Sequence, residues 1–84
     1  MRFTARVEVR LRPGIADPEG ATIERALPAL GFDDVHHVRA GRSFAFEVEA
    51  ADEETARARA VELADRLLAN PVIEQSVLEL TGPG

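Results

Sequence analysis

An α+β sandwich, one antiparallel sheet with two helices on one face, is the fold class this sequence predicts. Three observations carry the prediction. Residues 2–12 and 43–50 alternate between polar and apolar side chains, the period of a half-buried strand. Residues 18–30 and 53–69 repeat apolar side chains at helical spacing, each behind an Asp able to cap a helix. Short Gly/Pro/Asp stretches separate these segments.

In chain order, Phe3, Ala5, Val7, Val9 and Leu11 alternate with Arg2, Thr4, Arg6, Glu8, Arg10 and Arg12, and Pro13-Gly14 ends the strand. Asp17 is the N-cap of the first helix, and Pro18 takes the first helical position, where a missing donor costs nothing. Ile23, Ala26, Leu27 and Leu30 form its apolar stripe. Gly31 suits the left-handed residue that closes a helix, with Phe32 folding back on the last turn. Pro28 lies off the stripe, so a kink is expected rather than a break.

Val35 to Ala40 reads as a second strand with a bulge or a late start near His36. Ala40-Gly41-Arg42 reads as the turn of a hairpin into a third strand carrying Phe44, Phe46, Val48 and Ala50 on one face. Asp52 caps the second helix, whose stripe is Ala56, Ala60, Leu63, Ala64, Leu67 and Leu68. Glu53–Arg57 and Glu62–Arg66 are spaced as i, i+4 ion pairs. Asn70-Pro71 stops that helix. A last strand, Val72 to Leu80, is apolar on both faces, with Val72, Leu78 and Leu80 opposite Ile73 and Val77, which calls for a covering surface such as a second subunit. Residues 81–84 form a frayed tail. The order β-α-β-β-α-β makes this a ferredoxin-like sandwich in a single domain over residues 1–84.

Totals narrow the function. With 84 residues the core is small, and a partner or second copy is expected to stabilise it. There is no Cys, which removes disulfides and thiolate metal sites. All ten basic residues are Arg, so Schiff-base chemistry and a phosphate-loop lysine are impossible. A net charge of −5 argues against nucleic-acid binding. No apolar run reaches signal-peptide or membrane-span length, so a cytoplasmic chain with no membrane contact is expected.

No reactive constellation emerges. His36 and His37, as strand neighbours, point to opposite faces and lack a third ligand at metal spacing. Ser43 and Ser76 are the only serines, and neither sits on a strand-to-helix turn of nucleophile type. Glu47 and Glu49 share a strand face that reads as solvated, opposite the Arg2, Arg6 and Arg10 stripe. That stripe is either a set of cross-strand ion pairs or a docking face for another protein. The glycines of loop 14–20 match no phosphate-binding spacing. Catalytic, metal-binding and cofactor-binding residues are therefore all expected to be none.

Three motifs carry a resemblance. They are Leu11-x-x-Gly14-x-x-Asp17-Pro18-x-Gly20, then Ala26-Leu27-x-x-Leu30-Gly31-Phe32-x-x-Val35-x-x-Val38-Arg39-x-Gly41-Arg42, then Leu67-Leu68-Ala69-Asn70-Pro71-Val72-Ile73-Glu74. In this order they resemble the PurS subunit family of phosphoribosylformylglycinamidine synthase over almost the whole chain. Arg42 stands where the family often has Lys, and Pro28 is unusual in the family's helix.

The resemblance implies a role in the fourth step of purine synthesis. That reaction converts formylglycinamide ribonucleotide, glutamine and ATP to formylglycinamidine ribonucleotide, glutamate, ADP and phosphate. It implies a small accessory chain that bridges a PurL-type synthetase and a PurQ-type glutaminase, and that also associates with itself. ATP and magnesium would belong to the synthetase partner, with no cofactor on this chain. Asp17, Pro18, Gly20, Arg39, Gly41, Arg42, Asn70 and Pro71 are then the residues expected to shape contacts or turns. The competing reading is a ferredoxin-like regulatory module that binds a small effector.

Overall fold

A computed structural model describes residues 1–83. Three strands, β1 (Arg2–Leu11), β2 (Gly41–Glu49) and β3 (Glu74–Thr81), form one antiparallel sheet in the order β2-β1-β3. Two helices, α1 (Pro18–Ala26) and α2 (Glu53–Leu63), complete the α+β fold. β1 is the central strand, and its alternation is the cleanest in the chain. Phe3, Ala5, Val7 and Val9 are all buried, and Thr4, Arg6 and Glu8 are all exposed. Its register sets Phe3 against Val48, and Val7 between Phe44 and Leu78. A one-residue slip would bring every charged side chain into the core.

α2 and the turn that continues it cover this sheet through Ala56, Ala60 and Ala64, which recur every fourth residue and are all buried. Alanines let the helix backbone come close, so Val7, Val9 and Ala64 pack with half-buried Phe44, Phe46, Leu68 and Leu78. Asp52 caps α2 as expected, accepting the Thr55 N–H at 2.7 Å. The Glu53–Arg57 and Glu62–Arg66 pairs form at 3.4 and 3.6 Å. Each is exposed and contributes about 0.3–0.5 kcal/mol.

Five expectations need correction. First, Val35–Ala40 is not a strand. It runs without a ladder, and β2 pairs with β1 instead of forming a hairpin with it. The out-of-phase Val35 and Val38 offer no single apolar face that would reward pairing. Second, Pro28 ends the α-helix rather than kinking it. Pro28 has no N–H, Leu27 bonds back only three residues to the Glu24 carbonyl, and Pro28–Leu30 tightens into a 3-10 turn. Gly31 then closes the turn at φ 87°, and Phe32 N–H returns to the Leu27 carbonyl, as its sequence position predicts.

Third, α1 does not lie on the sheet beside α2. It buries only Gly20, its stripe residues Ile23 and Leu30 are exposed, and the molecule is drawn out to 51 × 28 × 14 Å. Fourth, Leu67 leaves the α2 stripe and is 75% exposed. Ala64–Leu68 winds as a π turn closed by Ala69 N–H to the Ala64 carbonyl, and the extra residue rotates Leu67 outward. Fifth, the last strand starts at Glu74, not Val72. Val72 and Ile73 fall in a turn, and Val72 is 80% exposed. Thr81 pairs with Thr4 within β3, so the expected tail starts one residue later, and Gly84 lies outside the described residues.

Candidate functional site: a junction of three motifs

Most of the residues singled out in the sequence meet at one end of the sheet, where β1 leaves, α1 begins, β2 starts and the chain returns from α2. Asp17 organises the α1 side. Its Oδ1 accepts the Gly20 N–H at 2.9 Å, which caps the helix, and its Oδ2 accepts the Ala40 N–H at 2.8 Å. Those two N–H groups, with the Arg39 guanidinium adding to them, hold the Asp17 carboxyl below its usual range. Arg39 Nε lies 4.0 Å from Asp17 Oδ2, and its Nη2 donates weakly to the Leu11 carbonyl at 3.4 Å. Pro18 takes the first helical position behind the cap.

Gly20 and Gly41 are there because the backbone approaches too closely for any side chain. A Cβ on Gly20 would stand 2.5 Å from Asp17 Oδ2 and 2.7 Å from the Val38 carbonyl oxygen. On Gly41 it would stand 2.7 Å from the Val9 carbonyl oxygen. Both glycines were visible in the sequence. Their reason was not, because the neighbours lie far away along the chain.

Arg42 and Glu74 organise the other side. Arg42 reaches across β1 from β2 to β3, donating to the Glu74 carboxylate at 3.2 Å and to the Leu68 carbonyl at 3.2 Å. Its guanidinium lies 5.5 Å from the Phe44 ring centre, within cation–π range. Glu74 also accepts the Asn70 N–H at 2.7 Å. That bond first, and Arg42 second, keep its carboxyl below the usual range. Asn70 Oδ1 accepts the Val72 N–H at 3.1 Å, and the Pro71 carbonyl accepts both Nε and Nη2 of Arg12 at 3.1 and 2.9 Å.

Glu24, Arg12 and Glu74 are the partners that sequence reasoning did not single out as site residues. Glu24 accepts the Val38 N–H at 2.9 Å. An acid two turns after a helix cap was the available signal. His36 and His37 do not splay across a strand as expected. His37 has φ 60°, a left-handed turn, and the two rings meet edge-to-face with centres 6.4 Å apart. Among the described residues no group of three His, Asp or Glu side chains is placed to hold a metal.

The wet face of the sheet carries the Arg stripe. Arg2 pairs with Glu49 at 2.8 Å and Arg10 with Glu8 at 2.8 Å, while Arg6 reaches only the Ser43 hydroxyl at 3.5 Å. The cross-strand pairing reading therefore accounts for Arg2, though not for Arg6.

The junction makes one direct prediction. Arg12→Ala removes a two-pronged hold on Pro71 and should lower stability by about 0.5–1 kcal/mol, since the contact is exposed. Arg12→Lys should recover less than half, because an ammonium cannot reproduce the fork. Denaturant midpoints check both.

Such an arrangement defines a class: a small α+β subunit whose charged groups brace its own loops, with an apolar arm left open. A family model described as PurS, phosphoribosylformylglycinamidine (FGAM) synthase, matches residues 4–82. The chain is 40% identical over 79 residues to the phosphoribosylformylglycinamidine synthase subunit PurS of Synechocystis, covering 94% of this chain and 79% of that one. Among solved structures it resembles Methanocaldococcus jannaschii PurS, with a TM-score of 0.85, 33% identity, and 98% and 99% of the two chains covered. It also resembles a chain of the PurLQS structure from Thermotoga maritima, with a TM-score of 0.89, 33% identity, and 96% and 99% covered. The chain belongs to the PurS family, and so to the small subunits of FGAM synthase in purine biosynthesis.

Proposed function

We propose that this chain is a non-catalytic assembly subunit that bridges the glutaminase and synthetase of FGAM synthase, in the cytoplasm, as a homo-oligomer. The carrying observation is how the motif residues are used. Asp17, Arg42, Asn70 and Pro71 bond to the chain's own backbone or to Glu74, which leaves them as scaffold rather than as groups poised for a reaction. What is open instead is apolar surface. Ile23, Leu30, Phe32 and Val35 are all exposed around α1 and the turn after it. A domain with so small a core gains stability when a second copy covers such an arm. The relative from Thermotoga maritima is one chain of a PurLQS structure, which supports synthetase and glutaminase partners for this chain as well.

The physical rationale is proximity. Ammonia released at one active site must reach another before it is lost, and a docking subunit raises that probability without any bond chemistry. ATP and magnesium belong to the synthetase in this reading, and this chain binds neither.

Mixing purified chains tests the proposal. Glutamine-dependent product formation should fall at least tenfold when this chain is omitted, while activity on free ammonium stays. Full glutamine-dependent activity without it would refute the bridging role. A thermal-shift screen with purine nucleotides and amino acids should give no shift. A ligand-induced rise would favour the effector-binding alternative.

A further inference from the structure

α1 is tied to the rest of the molecule in an unusual way. Asp17 and Glu24 are seven residues apart, two turns, so they share one side of the helix. Val38 and Ala40 are alternate residues of the segment that leads into β2, and their N–H groups both meet this side of the helix. Each carboxylate takes one of them, Asp17 from Ala40 at 2.8 Å and Glu24 from Val38 at 2.9 Å. The acceptors that a neighbouring strand would supply as carbonyls are here two side chains. Gly20 allows it, since its missing Cβ leaves room for the Val38 carbonyl.

We propose that Asp17 and Glu24 form a latch that joins α1 and residues 38–40 into one rigid arm, and that acid opens this latch while the sheet stays folded. The latch and the sheet rest on different physics. The sheet is held by its ladder and by apolar side chains, none of which titrates. Within one chain the arm buries only Gly20, so little besides the carboxylate bonds ties it to its own sheet. The charged groups that face the latch are Arg39 beside Asp17, and His36 and His37 beside Glu24. All of them favour the ionised acids.

The direction in pH follows. Both carboxyls lie below their usual range, chiefly through the N–H groups of Gly20 and Ala40 for Asp17 and of Val38 for Glu24. The stabilisation is complete above the unfolded-chain values and disappears as pH falls through the lowered native ones. Asp52 and Glu74 are lowered too, but Asp52 braces the start of α2, and Glu74 braces the turn before β3 and the end of the sheet that Arg42 reaches, away from the ladder at Ala5 and Val7.

Amide NMR on the full-length chain tests this. Between pH 6 and pH 3 the Val38 and Ala40 amide protons should shift with carboxyl titration. Their exchange, corrected for intrinsic rate, should quicken roughly tenfold or more. Ala5 and Val7 in β1 should stay protected over the same range. Glu24→Gln should remove the titration from Val38 and leave that of Ala40. The idea fails if Val38 titrates unchanged in Glu24→Gln. It also fails if the wild-type arm and sheet amides lose protection in one common step, a result that needs no variant to fold.

Discussion

Phe3→Ala is expected to unfold much of the isolated chain at ambient temperature. Phe3 is 2% exposed and is one of three large side chains, with Val7 and Val9, that are fully buried. Among the described residues the other four buried apolar side chains are all alanines, Ala5, Ala56, Ala60 and Ala64, so Phe3 supplies a large share of the fully buried volume. Truncating a buried Phe costs about 3–5 kcal/mol. A domain this long has only about 4–13 kcal/mol of net stability in total. Val77→Ala, on the wet face and 48% exposed, is the control and should change stability by under about 0.5 kcal/mol. Urea titration of the two variants gives the comparison. A Phe3→Ala chain within about 1 kcal/mol of the parent would mean that the small core described here is not what holds the fold.

Gly20→Ala is expected to destabilise, against the ordinary trend. Within a helix, Ala is preferred to Gly by about 1 kcal/mol, so propensity alone predicts a gain. Here the added Cβ would stand 2.5 Å from Asp17 Oδ2 and 2.7 Å from the Val38 oxygen. Neither neighbour is free to move, because Asp17 is bonded to Gly20 and Ala40, and Val38 to Glu24. Overpacking of this kind costs about 1–3 kcal/mol, so a net loss remains. Thermal unfolding reads the sign. The same variant should speed exchange at the Val38 and Ala40 amides while leaving β1 unaffected. A rise in melting temperature would show that residues 38–40 do not rest on α1 in the way described.

These two positions show what was legible in the residues and what was not. Phe3 could be assigned to the core from strict alternation alone, since a strand with one wet face has only one register that hides its apolar half. The caps at Asp17 and Asp52 and the left-handed stop at Gly31 were equally readable, because each depends on a few adjacent residues. Gly20 was noticed, but its cause was hidden, since it depends on Val38 arriving from across the molecule. The same is true of Glu74, whose partner Arg42 comes from another strand.

Two of the misreadings share one origin. Val35–Ala40 has strand-like composition, and α1 has a sound apolar stripe, so local rules place both on the sheet. In the single chain β2 takes β1 as its partner, and α1 stands away with its stripe exposed. Neither segment's composition was misjudged. What local rules could not weigh was whether one chain contains the surface that would cover them.

The residues alone therefore determined the strands and helices with strong short-range periodicity, their caps and stops, and, through three motifs in fixed order, the family. Tertiary structure alone decided which strand became the centre, how the motifs met at one junction, and that the first helix was left as an arm. The division is physical. Periodicity and capping are set by dihedrals and neighbours a few residues apart. Pairing, close approach and burial are competitions among distant segments, and only the assembled chain settles them.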